Sequence, residues 1–310
     1  MNRYAPFAAA FLAFCAAAFA QPAPAGKVAV ISVDGVGAQE LQGGPSCLGG
    51  KSAIRSLAEA GAYAKRVTDV LPTITHPSHA TIVTGVPPAK HGVADNGVAG
   101  IWFRKRSDIA VDTLWDMAGR AGKRVAIVTW PSTYGAKADW LVPEDLANFN
   151  DPTADIRAGS TPRLFDELAK ATHSPALLPF TNREAGRPLD RMTGEFAAEV
   201  VKQRQPDLLL THFLDYDHRM HYAPHSAEAC EALARIDGYV ARIVDAYRAA
   251  GLLERTTFFI VSDHGFAPVE RNVSVFGLLQ ASGWVEAFPG VPVEKAIALK
   301  VAGGSVAIHV

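Results

Sequence analysis

The feature that most constrains this chain is a set of short apolar runs, each ending in an acid, an imidazole or both. Val28–Val33 reads Val-Ala-Val-Ile-Ser-Val and stops at Asp34-Gly35. Residues Asp207–Phe213, with Leu208-Leu209-Leu210 inside, lead into Leu214-Asp215-Tyr216-Asp217-His218-Arg219-Met220-His221. Thr256–Val261 ends at Ser262-Asp263-His264-Gly265. Apolar runs of this length, set between helical patterns, predict strands covered on both faces. The helices expected between them are Ser52–Ala60, Thr113–Ala121, Glu195–Lys202 and Ser226–Ala250. Ser52 is the expected N-cap of the first and Asp112 of the second, and Gly61 and Gly251 close the first and last. In the last helix Leu233, Ile236, Val240, Ile243, Val244 and Tyr247 recur at helical spacing. A further strand is expected over Arg124–Thr129, whereas Pro143–Asp190, richer in Pro, Asn and Asp, reads as loops or a small cap. The fold class expected is therefore α/β, a mostly parallel central sheet with helices on both faces.

The first residues read as a targeting segment. Arg3 supplies a positive start, Ala8–Phe19 is apolar, and Ala18-Phe19-Ala20 offers small residues where a signal peptidase cleaves. That predicts a signal peptide over 1–20, a linker over 21–27 and one catalytic domain over 28–310, with an insertion around 133–190. The apolar stretch falls short of the ~20 residues of a comfortable membrane span, and no later segment is long and apolar enough. An exported protein, periplasmic or secreted, is expected, with no membrane attachment after cleavage. The formal net charge of −1 gives no basic field for a polyanion, so a small-molecule partner is expected rather than a nucleic-acid polymer. Export also bears on the cysteines. Cys15 leaves with the signal; Cys47 lies in a Gly/Pro-rich loop and Cys230 in a helical pattern, where a buried free thiol and a disulfide are both open readings.

In open α/β sheets, ligands bind beyond the carboxyl ends of the strands. The acids and imidazoles at those ends, Asp34, Asp217, His221, Asp263 and His264, make a donor set suited to Zn²⁺ or a similar divalent ion. Asp217 and His221 are spaced so that one helical turn puts them on one side. A separate segment, Pro72-Thr73-Ile74-Thr75-His76-Pro77-Ser78-His79-Ala80-Thr81, looks like the start of a helix near Pro77. Thr75 then sits where free N–H groups and the helix dipole favour an anion, and a hydroxyl beside a metal can attack phosphorus. The alternative is that Thr73 or Thr75 merely caps the helix.

From about Val28 to Phe266 these segments, in this order, resemble the alkaline phosphatase superfamily, and within it the nucleotide pyrophosphatase/phosphodiesterase family (type I phosphodiesterase-like). Val33-Asp34-Gly35 is similar to its first metal aspartate. Pro72-Thr73-Ile74-Thr75 with Pro77, His79 and Thr84-Gly85 is similar to its nucleophile segment. His91-Gly92 with Asp95-Asn96, Trp130-Pro131, Asp217 with His221 and Pro224, and Asp263-His264-Gly265 complete the likeness. The resemblance implies two zinc ions, one held by Asp34, Asp263, His264 and the Thr75 oxygen, the other by Asp217 and His221. It implies Thr75 as nucleophile through a phospho-threonine intermediate, and Asn96 as hydrogen-bond donor to a non-bridging oxygen. His76 would line the substrate, at a position where nucleotide-cleaving members carry a base-stacking Phe.

Three departures accompany the likeness. His76 replaces that Phe, Ser78 replaces an Asn, and the later His of the family's second zinc site has no clear counterpart before Val310. His309 lies in a run that alternates like a strand and reads as a strand side chain, so the resemblance implies a chain lacking the family's C-terminal segment. The function expected is zinc-dependent hydrolysis of phosphate diesters or pyrophosphates. The alternatives are a phosphonate hydrolase or phosphomonoesterase of the same superfamily, or a non-catalytic phospho-ligand-binding protein if the chain ends at Val310. A sulfatase is disfavoured because Thr75 stands where those enzymes carry Cys or Ser.

Overall fold

The computed structural model describes residues 26–42, 46–98, 101–145, 151–174, 186–283 except 268, 270 and 272, 298–302 and 304–309. The expected signal peptide and most of the linker lie outside these residues. The strands are β1 (Lys27–Val33), β2 (Gly97–Val98), β3 (Ile101–Trp102), β4 (Val125–Val128), β5 (Trp140–Val142), β6 (Leu208–Phe213), β7 (Thr256–Val261), β8 (Ala298–Ala302) and β9 (Ser305–His309). The helices are α1 (Gln39–Gln42), α2 (Ala53–Ala60), α3 (Thr75–Thr84), α4 (Pro88–His91), α5 (Leu114–Arg120), α6 (Pro152–Gly159), α7 (Leu164–Thr172), α8 (Gly186–Arg204), α9 (Asp215–Tyr222), α10 (Ala227–Ala249) and α11 (Val275–Ala281).

Five strands form one all-parallel sheet in the order β5-β4-β6-β1-β7, as the apolar runs predict. The two-residue period of a strand sorts its side chains to opposite faces. Ala29, Ile31 and Val33 of β1 join Phe196, Val200, Leu233, Ile236 and Val240 of α8 and α10 on one side. Val30 packs on the other with Ala80 and Val83 of α3 and Trp115 of α5. Because β1 lies between β6 and β7, the residues that follow these three strands emerge side by side at one sheet edge.

Local chemistry explains where the observed boundaries differ from those expected. The N-cap of α5 is Thr113, not Asp112: the Asp116 carboxylate accepts from the Thr113 N–H (2.9 Å) and closes a capping box. Asp112 instead pairs with Arg120. The stretch read as loops or a small cap contains α6, α7 and the first part of α8. Its Asp151 and Pro152 are the N-cap and first residue of α6, and Leu164, Phe165 and Leu168 give α7 a buried stripe. Helix α8 begins nine residues before the expected start at Glu195, with Leu189, Met192 and Phe196 buried at helical spacing. Cys47 and Cys230 form a disulfide, Cα–Cα 4.5 Å, so Cys230 is not a free thiol. The bond ties the loop after α1 to the first turn of α10. Antiparallel pairing of β8 with β9 makes His309 a strand residue; its side chain lies outside the described residues.

Candidate functional site

The turn after β1 is the floor of the site. Gly35 has φ 75°, and a Cβ there would come within 2.7 Å of the Phe266 ring and 3.1 Å of Asp217, so glycine lets three segments close on one point. The Gly35 N–H donates to Asp263 Oδ1 (3.2 Å) and the Val36 N–H to Ser262 Oγ (2.9 Å). These bonds stitch the ends of β1 and β7 together.

Around that turn the acids converge on one imidazole. His264 Nε2 lies 3.5 Å from Asp34 Oδ1, 3.4 Å from Asp263 Oδ2 and 3.9 Å from Asp217 Oδ1. The ligand atoms of Asp34, Asp263 and His264 all fall within 4.8 Å of one another. The same three carboxylate oxygens are buried and accept no hydrogen bond. Unpaired buried carboxylate oxygens are costly, each by several kcal/mol or so. Burial, then the charges of Asp217 and Asp263, hold the Asp34 carboxyl well above its usual range, while His212 pulls it down. A divalent cation would satisfy the oxygens and relieve that repulsion, so the residues present fit a metal of the zinc type.

Asp217 also reaches the second expected pair. On α9, one turn apart, Asp217 Oδ2 and His221 Nε2 stand 3.4 Å from each other. The hydrogen bond with Asp217 raises the His221 pKa against the effect of burial. The Phe266 ring lies edge-on to both His221 (5.0 Å) and His264 (5.9 Å). Among the described residues one other group has ligand atoms this close, Glu40, Cys47 and His225, but the Cys47 sulfur is committed to the disulfide.

Thr75 is the first residue of α3, so the helix starts two residues before the Pro77 expected from the sequence. Neither Thr73 nor Thr75 caps it: the N-cap is Ile74, without a side-chain cap, and the Thr73 hydroxyl donates to the Val70 carbonyl. The first turn therefore keeps its positive end for another acceptor. Asn96 Oδ1 accepts from the His76 N–H (2.9 Å) and faces His76 Nδ1 (3.3 Å), which fixes the amide beside the helix start. The buried His76 packs against the exposed Trp102 of the β2–β3 hairpin, ring centroids 5.4 Å apart, and burial lowers its pKa. Ser78, where the expected pattern has Asn, donates to Asp69. One turn along α3, His79 ties the helix to the acids. Its Nδ1 faces the Thr75 carbonyl (2.9 Å) and lies 3.6 Å from Asp263 Oδ2, and its Nε2 faces Ser32 Oγ (2.9 Å). Burial and the charge on His212 push its pKa down to about 3, so it is neutral.

The sequence reading did not single out His212 or Glu144. His212 lies inside β6, its Nε2 3.1 Å from Asp34 Oδ2 and its Nδ1 2.6 Å from Glu144 Oε2. Burial opposes a charge on His212, but the charge of Glu144 and hydrogen bonds to Asp34 and Glu144 outweigh it and raise its pKa well above the usual value. A polar imidazole within Leu208-Leu209-Leu210-Thr211-His212-Phe213 is the one signal that marked it. At the end of β4, Thr129 is held at φ 51°, an uncommon conformation for a β-branched residue, with its hydroxyl bonded to Thr193 and the His212 carbonyl. That turn sets the buried Trp130 edge-on to His79 (5.1 Å).

A family model described as type I phosphodiesterase / nucleotide pyrophosphatase matches residues 28–309. Human ectonucleotide pyrophosphatase/phosphodiesterase family member 1 is 25% identical over 263 residues, 81% of this chain and 24% of that protein. Venom phosphodiesterase 2 of Crotalus adamanteus is 26% identical over 265 residues, 82% of this chain and 29% of that protein. The chain thus spans about a quarter of the length of these curated relatives. Among solved structures, phosphonoacetate hydrolase from Sinorhizobium meliloti 1021 in complex with phosphonoacetate superposes with TM-score 0.55 at 19% identity, covering 88% of this chain and 67% of that one. At that identity the likeness is one of fold.

Proposed function

The chain belongs to the type I phosphodiesterase / nucleotide pyrophosphatase family, on an alkaline phosphatase-like α/β fold, and from that premise we propose that it hydrolyses phosphate diesters or pyrophosphates with bound zinc. The observation that carries this reading is the set of three unpartnered carboxylate oxygens facing His264 Nε2. Asp34, Asp263 and His264, with the Thr75 hydroxyl, would hold one ion; Asp217 and His221 would hold the other. When bound, zinc supplies Lewis-acid stabilisation of phosphoryl oxygens and favours a deprotonated nucleophile.

The chain's own groups do the rest. Thr75 Oγ1 attacks phosphorus from the first residue of α3, where the N-cap side chain leaves the helix end uncapped and the helix dipole favours the anionic phosphoryl group. The P–O bond to the leaving group breaks, giving a phospho-threonine ester that water then cleaves. Asn96, its Oδ1 anchored by the His76 N–H, has its amide NH₂ left to donate to a non-bridging oxygen as charge develops. The neutral His79 keeps Thr75, Ser32 and Asp263 in fixed relation. The disulfide supports an oxidising compartment, in keeping with export. Among the described residues no helix is long and apolar enough to cross a membrane.

His76 bears on the substrate. A buried imidazole that faces Asn96 offers less stacking area than a phenyl ring, which favours a small or non-aromatic leaving group over a nucleotide base. The test is zinc content per chain together with a hydrolysis panel: bis(p-nitrophenyl) phosphate, a monoester, a dinucleotide pyrophosphate and a phosphonate. Turnover of the diester or the pyrophosphate by zinc-loaded protein supports the proposal. Cleavage of the phosphonate alone would move the assignment to phosphonate hydrolysis, and tight phosphate binding without turnover would leave a phospho-ligand-binding protein.

A further inference from the structure

Asp34 has two oxygens in different situations. Oδ1 faces His264 without a hydrogen bond, whereas Oδ2 meets His212 Nε2 at 3.1 Å. The opposite nitrogen of that ring meets Glu144 Oε2 at 2.6 Å, so the imidazole is gripped at both ends. All three side chains are buried: Asp34 and His212 are each 2% exposed and Glu144 8%. A metal-ligating carboxylate held by a hydrogen bond on its other oxygen loses rotational freedom and keeps one lone pair aimed at the ion. We propose that His212, anchored by Glu144, is a positioning residue that holds Asp34 with Oδ1 turned toward the bound metal, through a Glu144–His212–Asp34 relay along the carboxyl edge of the sheet. This rests on the zinc reading of the site.

The placement of the three residues supports the relay. Glu144 follows β5 at one edge of the sheet, His212 lies in β6, and Asp34 follows β1, so the relay spans the sheet from its edge strand to its centre. His212 pairs in register with Ser32, and both face the α3 side, where the His79 ring packs against His212 with centroids 4.4 Å apart. The second imidazole packs edge-on against the His212 ring and itself reaches Thr75 and Asp263. Purely structural burial would be served at lower cost by Leu or Val, as at positions 208–210 of the same strand.

The test compares zinc affinity, by competition with a chromophoric chelator, for wild type, His212→Leu, His212→Gln and Glu144→Gln, with metal-free thermal midpoints measured alongside. Positioning predicts that His212→Leu weakens zinc binding by about 10–100-fold. His212→Gln, whose amide N–H can still donate to Asp34, should recover part of that loss. Glu144→Gln should weaken binding by less than His212→Leu, with its metal-free midpoint near that of wild type. If His212→Leu fails to fold, His212→Gln and Glu144→Gln carry the test. Affinities within twofold of wild type in every folded variant overturn the relay. A loss that His212→Gln does not recover in any part also overturns it, because a purely structural defect would behave that way. Wild type that takes up no zinc at all overturns the zinc reading itself, and the relay with it; the two failures are thereby distinct.

Discussion

Two regions of this molecule are built from the same residue types and do opposite things. Around His264, three buried carboxylate oxygens point at one imidazole and accept no hydrogen bond. Around Glu40, a fully buried carboxylate also stands near an imidazole, His225, and near a cysteine. There every oxygen is satisfied: Oε1 accepts from the Tyr216 hydroxyl, and Oε2 from Ser46 Oγ and the Cys47 N–H. The Glu40 carbonyl takes Ser46 Oγ and Arg55 as well. The Glu40 region is a clamp that fastens the loop after α1 to α9, and the disulfide fastens the same loop to α10. Residue composition alone does not separate the two; counting which buried oxygens lack donors does.

That contrast can be broken at either end. The largest effect should come from Thr75→Ala, which removes the proposed nucleophile while touching none of the acids. Turnover of bis(p-nitrophenyl) phosphate should fall on the order of 10³-fold or more, with zinc content by elemental analysis largely retained because Asp34, Asp263 and His264 remain to hold that ion. Wild-type turnover in that variant would exclude Thr75. Asp263→Ala should come next, losing bound zinc and with it activity; a full zinc complement would mean that the cluster does not hold the metal. On the clamp side, replacing Cys47 and Cys230 together by Ser should lower unfolding stability by on the order of 2–5 kcal/mol in denaturant titrations, because the bond closes a loop with a sequence separation of 183. Glu40→Gln should have the smallest effect, about 1–3 kcal/mol of stability, because it turns an amide against donors. Neither clamp variant should alter zinc stoichiometry in folded protein. If Glu40→Gln does so, the two regions are not independent.

The sequence made the strands legible where the signal was local. The runs ending at Asp34, Phe213 and Val261 are seen within a residue of expectation, and Ser52 caps α2 because its hydroxyl bonds only three residues ahead, to the Arg55 N–H. Thr113 and Asp112 are both good caps, and only the return bond from Asp116 decides between them. The Pro- and Asp-rich stretch after Pro143 holds a helix for a physical reason: Pro, which ends a helix in its interior, begins one at its first position, as Pro152 does after the Asp151 cap. In the site, Asp34, Asp217, His221, Asp263 and His264 could be located because strand ends and one helical turn bring them together. The relay could not, since Glu144 and His212 are 68 positions apart and their meeting depends on the order of strands in the sheet.

The central position of β1 has a consequence for how the molecule comes into being. Of the five strands in the sheet, β1 is made before the others yet is the last to gain both neighbours, since β6 and β7 come far later in the chain. The bond between the Gly35 N–H and Asp263 joins residues 228 apart, and at about 5–20 residues per second the ribosome needs roughly 10–45 s to make that stretch. Until β6 is made Val28–Val33 is an apolar segment with two open edges, and one edge stays open until β7 follows, a hazard for strand-to-strand association during synthesis. Productive folding of this chain is therefore a matter of timing as much as of energy.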